Sequence, residues 1–502
     1  MPTTNLGYTV AQSAFSRVFV IEGGARPDHA PVYNSCLRMQ GITQGFGDLE
    51  SIECPDPFQY GKFISVGSIR GATERPTTTL EGRYALDAIS TLLKLARQGC
   101  NFDIHLHFGQ CTDPSIFSQY KKAVVLRAAQ LTNFTTEDLG VLVSGDNAAI
   151  NESAELSGDE IFELVPLTPS SVGGSVIVNE VLDVVVCDAV SCGDCENESS
   201  GCDKIYAVTK AAGGSPATAG DVVFSLDGGS NWFSHDIDSS SAEPDAIACV
   251  GDYVVVVTNA GDALEIVLKD DLNSYTDPDF TEVTTGIVAA GSPNDIWSVG
   301  SFAFIVGDGG YIYKCSDPAS GVEVLDAGSA TTDKLLAVHA LNQFFAVAVG
   351  NDGAVVYSTD GALWTSVTRP VGVGINLTSV WIKGENEWLV TTSDGRLFYT
   401  LDKGTTWVSK AFSGSGAGVA YGLAFANSNV GYLSHSTATP RARVFRTIDG
   451  GYSWNTIPEE TGTCPLADRV NALAACSIDP NFVVGVGLDD DATDGFIVVG
   501  SG

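Results

Sequence analysis

Ser225-Leu226-Asp227-Gly228-Gly229-Ser230-Asn231-Trp232 decides the reading of this chain, because the same short pattern returns three more times. The other copies are Ser358-Thr359-Asp360-Gly361-Ala362-Leu363-Trp364, Thr400-Leu401-Asp402-Lys403-Gly404-Thr405-Thr406-Trp407 and Thr447-Ile448-Asp449-Gly450-Gly451-Tyr452-Ser453-Trp454. Three fit S/T-x-D-x-G-x-x-W, and the copy at Asp360 is one residue shorter. Aspartate bonds the local backbone and glycine takes positive φ, so each motif reads as a tight turn between two apolar runs. The tryptophan opens the next strand and brings a large area for burial. The structural positions are Ser225, Asp227, Gly229 and Trp232; Ser358, Asp360 and Trp364; Thr400, Asp402, Gly404 and Trp407; and Thr447, Asp449, Gly451 and Trp454.

The box aspartates are 133, 42 and 47 residues apart. The first interval is roughly three repeats of about 44 residues, so two degenerate copies belong inside it. Ala263 to Leu268 followed by Asp270 and Asp271 is one, and Gly310 to Lys314 followed by Asp317 is the other. A second mark precedes several boxes: Gly307-Asp308-Gly309-Gly310, Gly350-Asn351-Asp352-Gly353 and Ser393-Asp394-Gly395 read as hairpin turns. The repeating unit is therefore strand, strand, turn, strand, box, strand. A seventh unit without a box follows in Val470 to Ser477, Asn481 to Gly487 and Gly495 to Val499, with Val176 to Val184 expected to supply its missing strand.

The four motifs resemble the Asp-box (BNR) repeats of β-propellers, found in sialidases, sortilins and photosystem II assembly factors. The resemblance implies a propeller over residues 171–502, with seven blades expected and six as the alternative. It says little about function, since in those families the box is a folding element. A sialidase needs an arginine triad, an acid and a Tyr/Glu nucleophile pair. After Ser170 the arginines are only Arg369, Arg396, Arg441, Arg443, Arg446 and Arg469, and the short repeat intervals leave little room for catalytic insertions. No catalytic residue and no cofactor are expected. Arg441, Arg443 and Arg446 are expected to decorate an exposed strand. Each box aspartate lies alone on its repeat, which suits turn capping better than calcium. Asp489, Asp490, Asp491 and Asp494 make the densest acidic loop, a calcium candidate set against a plain solvated turn.

Across 502 residues the formal net charge is −35, from 26 basic and 61 acidic residues. Up to Ser170 there are 19 acidic and 12 basic residues (net −7); the remainder holds 42 and 14 (net −28). Such a surface stays soluble and repels nucleic acid and acidic membranes. No secretory signal is visible between Met1 and Val20, and no apolar run is long enough for a membrane helix. Among twelve cysteines, Cys187, Cys192, Cys195 and Cys202 cluster as C-x4-C-x2-C-x6-C. Two disulfides within the loop, a zinc ion and free thiols are all compatible with that spacing.

Residues 1–170 lack the box rhythm. Val18 to Glu22, Phe63 to Val66, Thr77 to Leu80, Asn101 to Phe108, Ala123 to Leu131 and Ile161 to Val165 read as strands. Leu86, Ile89, Leu93 and Ala96 fall at helical spacing, closed by Gly99. In Asn101 to Phe108 the alternation sends Phe102, Ile104, Leu106 and Phe108 one way and Asp103, His105 and His107 the other, onto a solvated or interface face. The stretch Ser68 to Glu81, the helix, the Phe102 to Phe108 strand and the segment Asn147 to Leu164 together resemble the tail tube fold of tailed bacteriophages. That resemblance implies a β-sandwich or barrel-like unit with one helix, six copies per ring, and rings stacked into a pipe. DNA passes through such a pipe without specific binding. The implied setting is the virion tail, assembled in the host cytoplasm beside other tail proteins, with the propeller outside, facing host-surface glycans or a receptor, and no membrane insertion. The rival expectations are a monomeric binding or assembly factor and a sialidase-like glycosidase. Pro166 to Gly174 reads as the linker between the two domains.

Overall fold

Runs such as Tyr253–Thr258 (YVVVVT) and Ala346–Gly350 (AVAVG) are apolar at almost every position and buried on both faces. That pattern is what a central strand needs when other sheets pack against it on either side. The computed structural model describes residues 17–22, 32–33, 37–43, 49–55, 63–70, 75–83, 102–108, 122–136, 151–165, 168–172, 179–187, 201–210, 220–237, 243–258, 263–272, 279–284, 286–412, 416–436, 442–457, 469–488 and 495–501. The chain divides into two units, Met1–Val165 and Pro166–Gly502. No helix among the described residues is long and apolar enough to cross a membrane.

In the first unit, Val32–Tyr33, Arg17–Glu22, Phe102–Phe108, Lys122–Thr136, Asn151–Ser157, Thr77–Arg83 and Leu37–Thr43 lie side by side in that order, all antiparallel. Lys122–Thr136 is the pivot. Its first half pairs with Phe102–Phe108 and Glu160–Leu164, and its second half with Asn151–Ser157. The change of partner falls at Ala128, whose φ is 52°. Its N–H donates to Asp103 Oδ1 at 2.7 Å, so the carboxylate holds the bulge that turns the strand. Val20, Leu80, Phe102, Ile104, Leu126, Ala129, Ala154 and Leu156 form the core. Leu49–Pro55 and Phe63–Arg70 make a separate two-stranded ribbon. The helix expected at Leu86 to Ala96 lies outside the described residues.

Asp103, His105 and His107 correct the expectation of a solvated face: all three are buried. Both faces of this strand are covered, so strict alternation of apolar and polar residues did not distinguish inside from outside. Burial draws His107 down to about 3 and, with the charge of His107, draws His105 well below the usual histidine range.

Among the described residues the second unit forms seven four-stranded antiparallel sheets. The first holds Val181–Cys187, Lys204–Thr209, Asp221–Ser225 and Phe233–Asp236; the second Pro244–Val250, Tyr253–Thr258, Leu264–Leu268 and Thr281–Val283. The third holds Pro293–Val299, Phe302–Gly307, Tyr311–Asp317 and Gly321–Ala327; the fourth Leu335–Ala340, Ala346–Gly350, Val355–Ser358 and Thr365–Ser366. The fifth holds Leu377–Gly384, Glu387–Thr392, Leu397–Thr400 and Val408–Lys410; the sixth Val419–Phe425, Gly431–Ser436, Ala442–Thr447 and Asn455–Thr456. The leading strand of each sheet touches that of the next, and the last touches the first, which is the arrangement of a β-propeller.

The seventh sheet closes the ring. Arg469–Ala475, Val483–Leu488 and Gly495–Ser501 come from the C-terminal end, and the fourth strand is Thr168–Val172, with Thr168 opposite Ser501 and Val172 opposite Ile497. This corrects two expectations. Part of the Pro/Ser/Gly-rich linker is a strand, with Pro169 tolerated because an outer strand leaves one side free of ladder bonds. Val181–Cys187, at the end of the stretch expected to close the ring, instead leads the first sheet.

Candidate functional site

Every full box sits between the third and fourth strands of its sheet, and one bonding scheme recurs. Ser225 Oγ donates to Asp227 Oδ1 at 2.9 Å and accepts the Gly229 N–H at 2.8 Å. Asp227 then accepts from the Asn231 backbone at 2.8 Å and from its side chain at 2.6 Å. Thr400/Asp402 and Thr447/Asp449 repeat it with Thr406 and Ser453 in place of Asn231. In the shortened copy, Asp360 accepts directly from the Ala362 and Leu363 N–H groups. Burial opposes ionisation of Asp227 and Asp402, yet these bonds hold both below the usual carboxylate range. Asp449 is fully buried, and there burial wins and raises it. The degenerate copy at Asp317 keeps part of the scheme, accepting from Ala319 N–H and Ser320 Oγ.

The tryptophans reach backward. Trp232 packs with Phe482 and Val499 of the seventh sheet, Trp364 with Phe304 of the third, Trp407 with Trp388 and Val367, and Trp454 with Leu389 of the fifth. Gly229 has φ of 90°, and a Cβ there would lie 2.8 Å from Val499 Cγ2. Glycine is thus required twice, by conformation and by the approach of the neighbouring sheet. The boxes are joints between sheets.

The cysteine cluster does not pair within itself where it is described. Cys187 bonds Cys249, joining the first and second sheets, and Cys202 bonds Cys476, joining the first and seventh across the ring closure. Cys192 and Cys195 lie outside the described residues. Sequence spacing favoured local partners, whereas the ring brings cysteines 62 and 274 residues apart together. The acidic loop Asp489 to Asp494 and Arg441 also lie outside the described residues. Arg446 is buried, its guanidinium bonded to Asn481 Oδ1 at 2.8 Å, and so does not decorate an exposed strand; Arg443 is exposed. Among the described residues no three His, Cys, Asp or Glu are placed to hold a metal ion.

The site that sequence reasoning missed is the axis of the ring. Each of the seven leading strands carries a register shift near its start, at Leu182, Asp245, Asn294, Leu336, Thr378, Tyr421-Gly422 and Asn471. All of these bulge residues line one cavity of about 490 Å³. A signal was present: the residue pairs Asp183-Val184, Ala246-Ile247, Asp295-Ile296, Ala337-Val338, Ser379-Val380, Gly422-Leu423 and Ala472-Leu473 place a small residue or aspartate before an aliphatic in every repeat.

At this level neighbouring strands clasp one another. The Ile247 N–H donates to Asp183 Oδ2 at 2.9 Å and the Val338 N–H to Asp295 Oδ2 at 2.7 Å. Asn294 Nδ2 donates to the Leu335 carbonyl at 3.0 Å, Thr378 Oγ1 to the Ala420 carbonyl, and Asn471 Nδ2 to the Val181 carbonyl at 2.8 Å, beside the Arg469–Glu180 ion pair. Burial pushes Asp183 up to about 6 despite those bonds. Burial, with the charges of Asp183 and Asp245, puts Asp295 well above the usual carboxylate range. Farther along, His339 packs against both Trp297 and Trp381, its ring tilted to each, with centroids 4.2 and 4.1 Å away, and burial draws its pKa to about 3.

No protein-family model matches the chain, and no curated protein matches it. Among solved structures it is similar to YCF48 bound to a D1 peptide, with 14% identity and a TM-score of 0.49 over 68% of this chain and 96% of that one. It is also similar to YCF48 from Cyanidioschyzon merolae, with 13% identity and a TM-score of 0.49 over 66% and 98%. The WD40 β-propeller domain of Doa1 matches with 11% identity and a TM-score of 0.47 over 67% and 96%.

Proposed function

We propose that this chain is a structural protein of a tailed-phage virion. The first unit assembles as hexameric rings that stack into the tail tube, and the second is a seven-bladed propeller carried on the exterior. The observation that supports the reading is the open sheet of the first unit. Its outermost strands, Val32–Tyr33 and Leu37–Thr43, each have one side without a strand partner among the described residues. A ring of identical subunits covers such edges by pairing them with the next copy. The charge agrees: a net −7 over residues 1–170 gives this part of the chain no basic excess with which to retain DNA. This reading assigns the chain no catalytic step.

Negative-stain electron microscopy with mass measurement, at low and high salt, tests it. Rings or tubes of six-fold symmetry with peripheral knobs are expected. A monomer near 52 kDa at every salt and concentration overturns the reading. The second reading, a monomeric propeller that grips another molecule, then takes its place, favoured by the axial cavity.

A further inference from the structure

Six of the seven sheets are built from four consecutive strands, but the seventh is assembled from the two ends of the second unit. Its strands Thr168–Val172 and Gly495–Ser501 are joined by a backbone ladder and by no connecting turn. Among the described residues, the seventh and first sheets also meet through the Arg469–Glu180 ion pair and through Asn471, which donates to Glu180 Oε1 at 2.9 Å and to the Val181 carbonyl at 2.8 Å. Trp232 packs with Phe482 and Val499 across the same boundary. None of these contacts is covalent. Chain connectivity therefore lets the ring part here: Thr168–Val172 stays on the chain that leads into the first sheet and peels away from the rest of the seventh.

Cys202–Cys476 crosses that seam. Cys202 precedes the second strand of the first sheet, and Cys476 follows the leading strand of the seventh. The bond closes a covalent loop across 274 residues, so the seventh sheet stays tied to the first even when the ladder peels. Cys187–Cys249 offers a contrast within the same ring, because it joins two sheets that the chain already connects. Cys202 keeps 9% of its surface exposed, against 4% for Cys187, 1% for Cys249 and none for Cys476, so thiol–disulfide exchange starts at the Cys202 sulfur. The buried thiol of Cys315, pushed up to about 11 by burial and the charge of Asp317, stays protonated and does not compete.

We propose that the Cys202–Cys476 pair is a redox latch on the ring of the second unit. Oxidised, it locks the seventh sheet to the first; reduced, it lets the ring open locally at the seam while the other sheets stay folded. Locking consists of two exchanges with a low-molecular-weight disulfide. One cysteine thiolate attacks the small disulfide, forms a mixed disulfide and expels one thiol. The second thiolate then attacks the cysteine sulfur of that mixed disulfide, forms the Cys202–Cys476 bond and expels the other thiol. The cysteine pair gives up two electrons and two protons, and the small disulfide leaves as two thiols. The latch operates whether or not the chain forms tubes.

Hydrogen exchange of the full native chain at pH 7.5, with and without a trialkylphosphine reductant, tests it. Reduction is expected to speed exchange at least about tenfold in Thr168–Val172, Val181–Cys187 and Gly495–Ser501, and less than about twofold in Ala346–Gly350 of the fourth sheet. Removing the phosphine and adding oxidised glutathione is expected to restore slow exchange. Cys476 and Cys249 fall on different tryptic peptides, beginning at Val470 and Ala211, so alkylation reads the two bonds separately. The double variant Cys202→Ser with Cys476→Ser is expected to exchange fast at the seam with no reductant and to ignore the phosphine there. Cys187→Ser with Cys249→Ser is expected to keep the response. Cys476 that stays unalkylated after phosphine treatment of the native chain, a reduced seam that exchanges no faster, equal acceleration in every sheet, or a seam response that survives in the Cys202/Cys476 variant overturns the proposal.

Discussion

Asp227 and Asp183 are both aspartates bonded to backbone N–H groups, and water decides their different behaviour. Asp227 lies in an exposed turn, where bonds from Asn231 and Ser225 outweigh burial and keep its carboxylate ionised. Asp183 lies on the axis, where burial outweighs the bonds from Ile247 and Val184 and lifts its pKa to about 6. A carboxyl raised in the folded state stabilises it fully below the unfolded pKa, and that stability is lost as pH rises through the folded value. The window for Asp183 therefore runs from about 4 to about 6. His339 acts in the opposite sense: its folded pKa near 3 lies below the ordinary 6.5, so stability falls as pH drops through that range. The two slopes oppose each other between pH 4 and 6. For Asp183→Asn, stability relative to the parent is expected to rise by about 1.4 kcal/mol per pH unit between pH 4 and 6 and to level off above about 7. Urea unfolding at a series of pH values measures it, and a flat difference contradicts the assignment.

Among the elements, Thr168–Val172 is the strand that closes the ring. It is five residues long, yet it supplies the seventh sheet with its fourth strand and links the beginning of the second unit to its end. Without it, Gly495–Ser501 loses its outer ladder partner and presents a bare edge. The same closure gathers Trp232 on Val499, Asn471 on Val181 and the Cys202–Cys476 bond. A chain beginning at residue 166 is expected to melt at a higher temperature than one beginning at residue 174, which should also associate through the exposed edge. Differential scanning calorimetry and light scattering compare them, and equal melting temperatures would show that the strand contributes nothing to closure.

At the scale of the whole molecule, the ring is stapled on both sides of one sheet. Cys187–Cys249 ties the first sheet forward and Cys202–Cys476 ties it backward, the latter across 274 residues of chain. A cross-link of that span removes much of the unfolded chain's freedom, and losing it is expected to cost about 2–5 kcal/mol. Cys476→Ser should therefore lower the urea midpoint more than Cys315→Ser, which removes a buried thiol outside either disulfide. Alkylation followed by mass spectrometry checks the pairing itself, and free Cys476 in the native protein would refute it. The sequence by itself determined the turns, the strand order within each repeat and the place of the two degenerate copies, because Asp, Gly and Trp act within a few residues of themselves. The copy at Asp317, still capping its turn, is the clearest case. Only the tertiary structure decided what distant residues share: the closing strand, the cysteine partners, the burial of His105 and His107, and the seven bulges that meet on the axis. Chain entropy leaves such pairings open until the ring forms. A carboxylate such as Asp295 comes to line a cavity only when six other strands surround it.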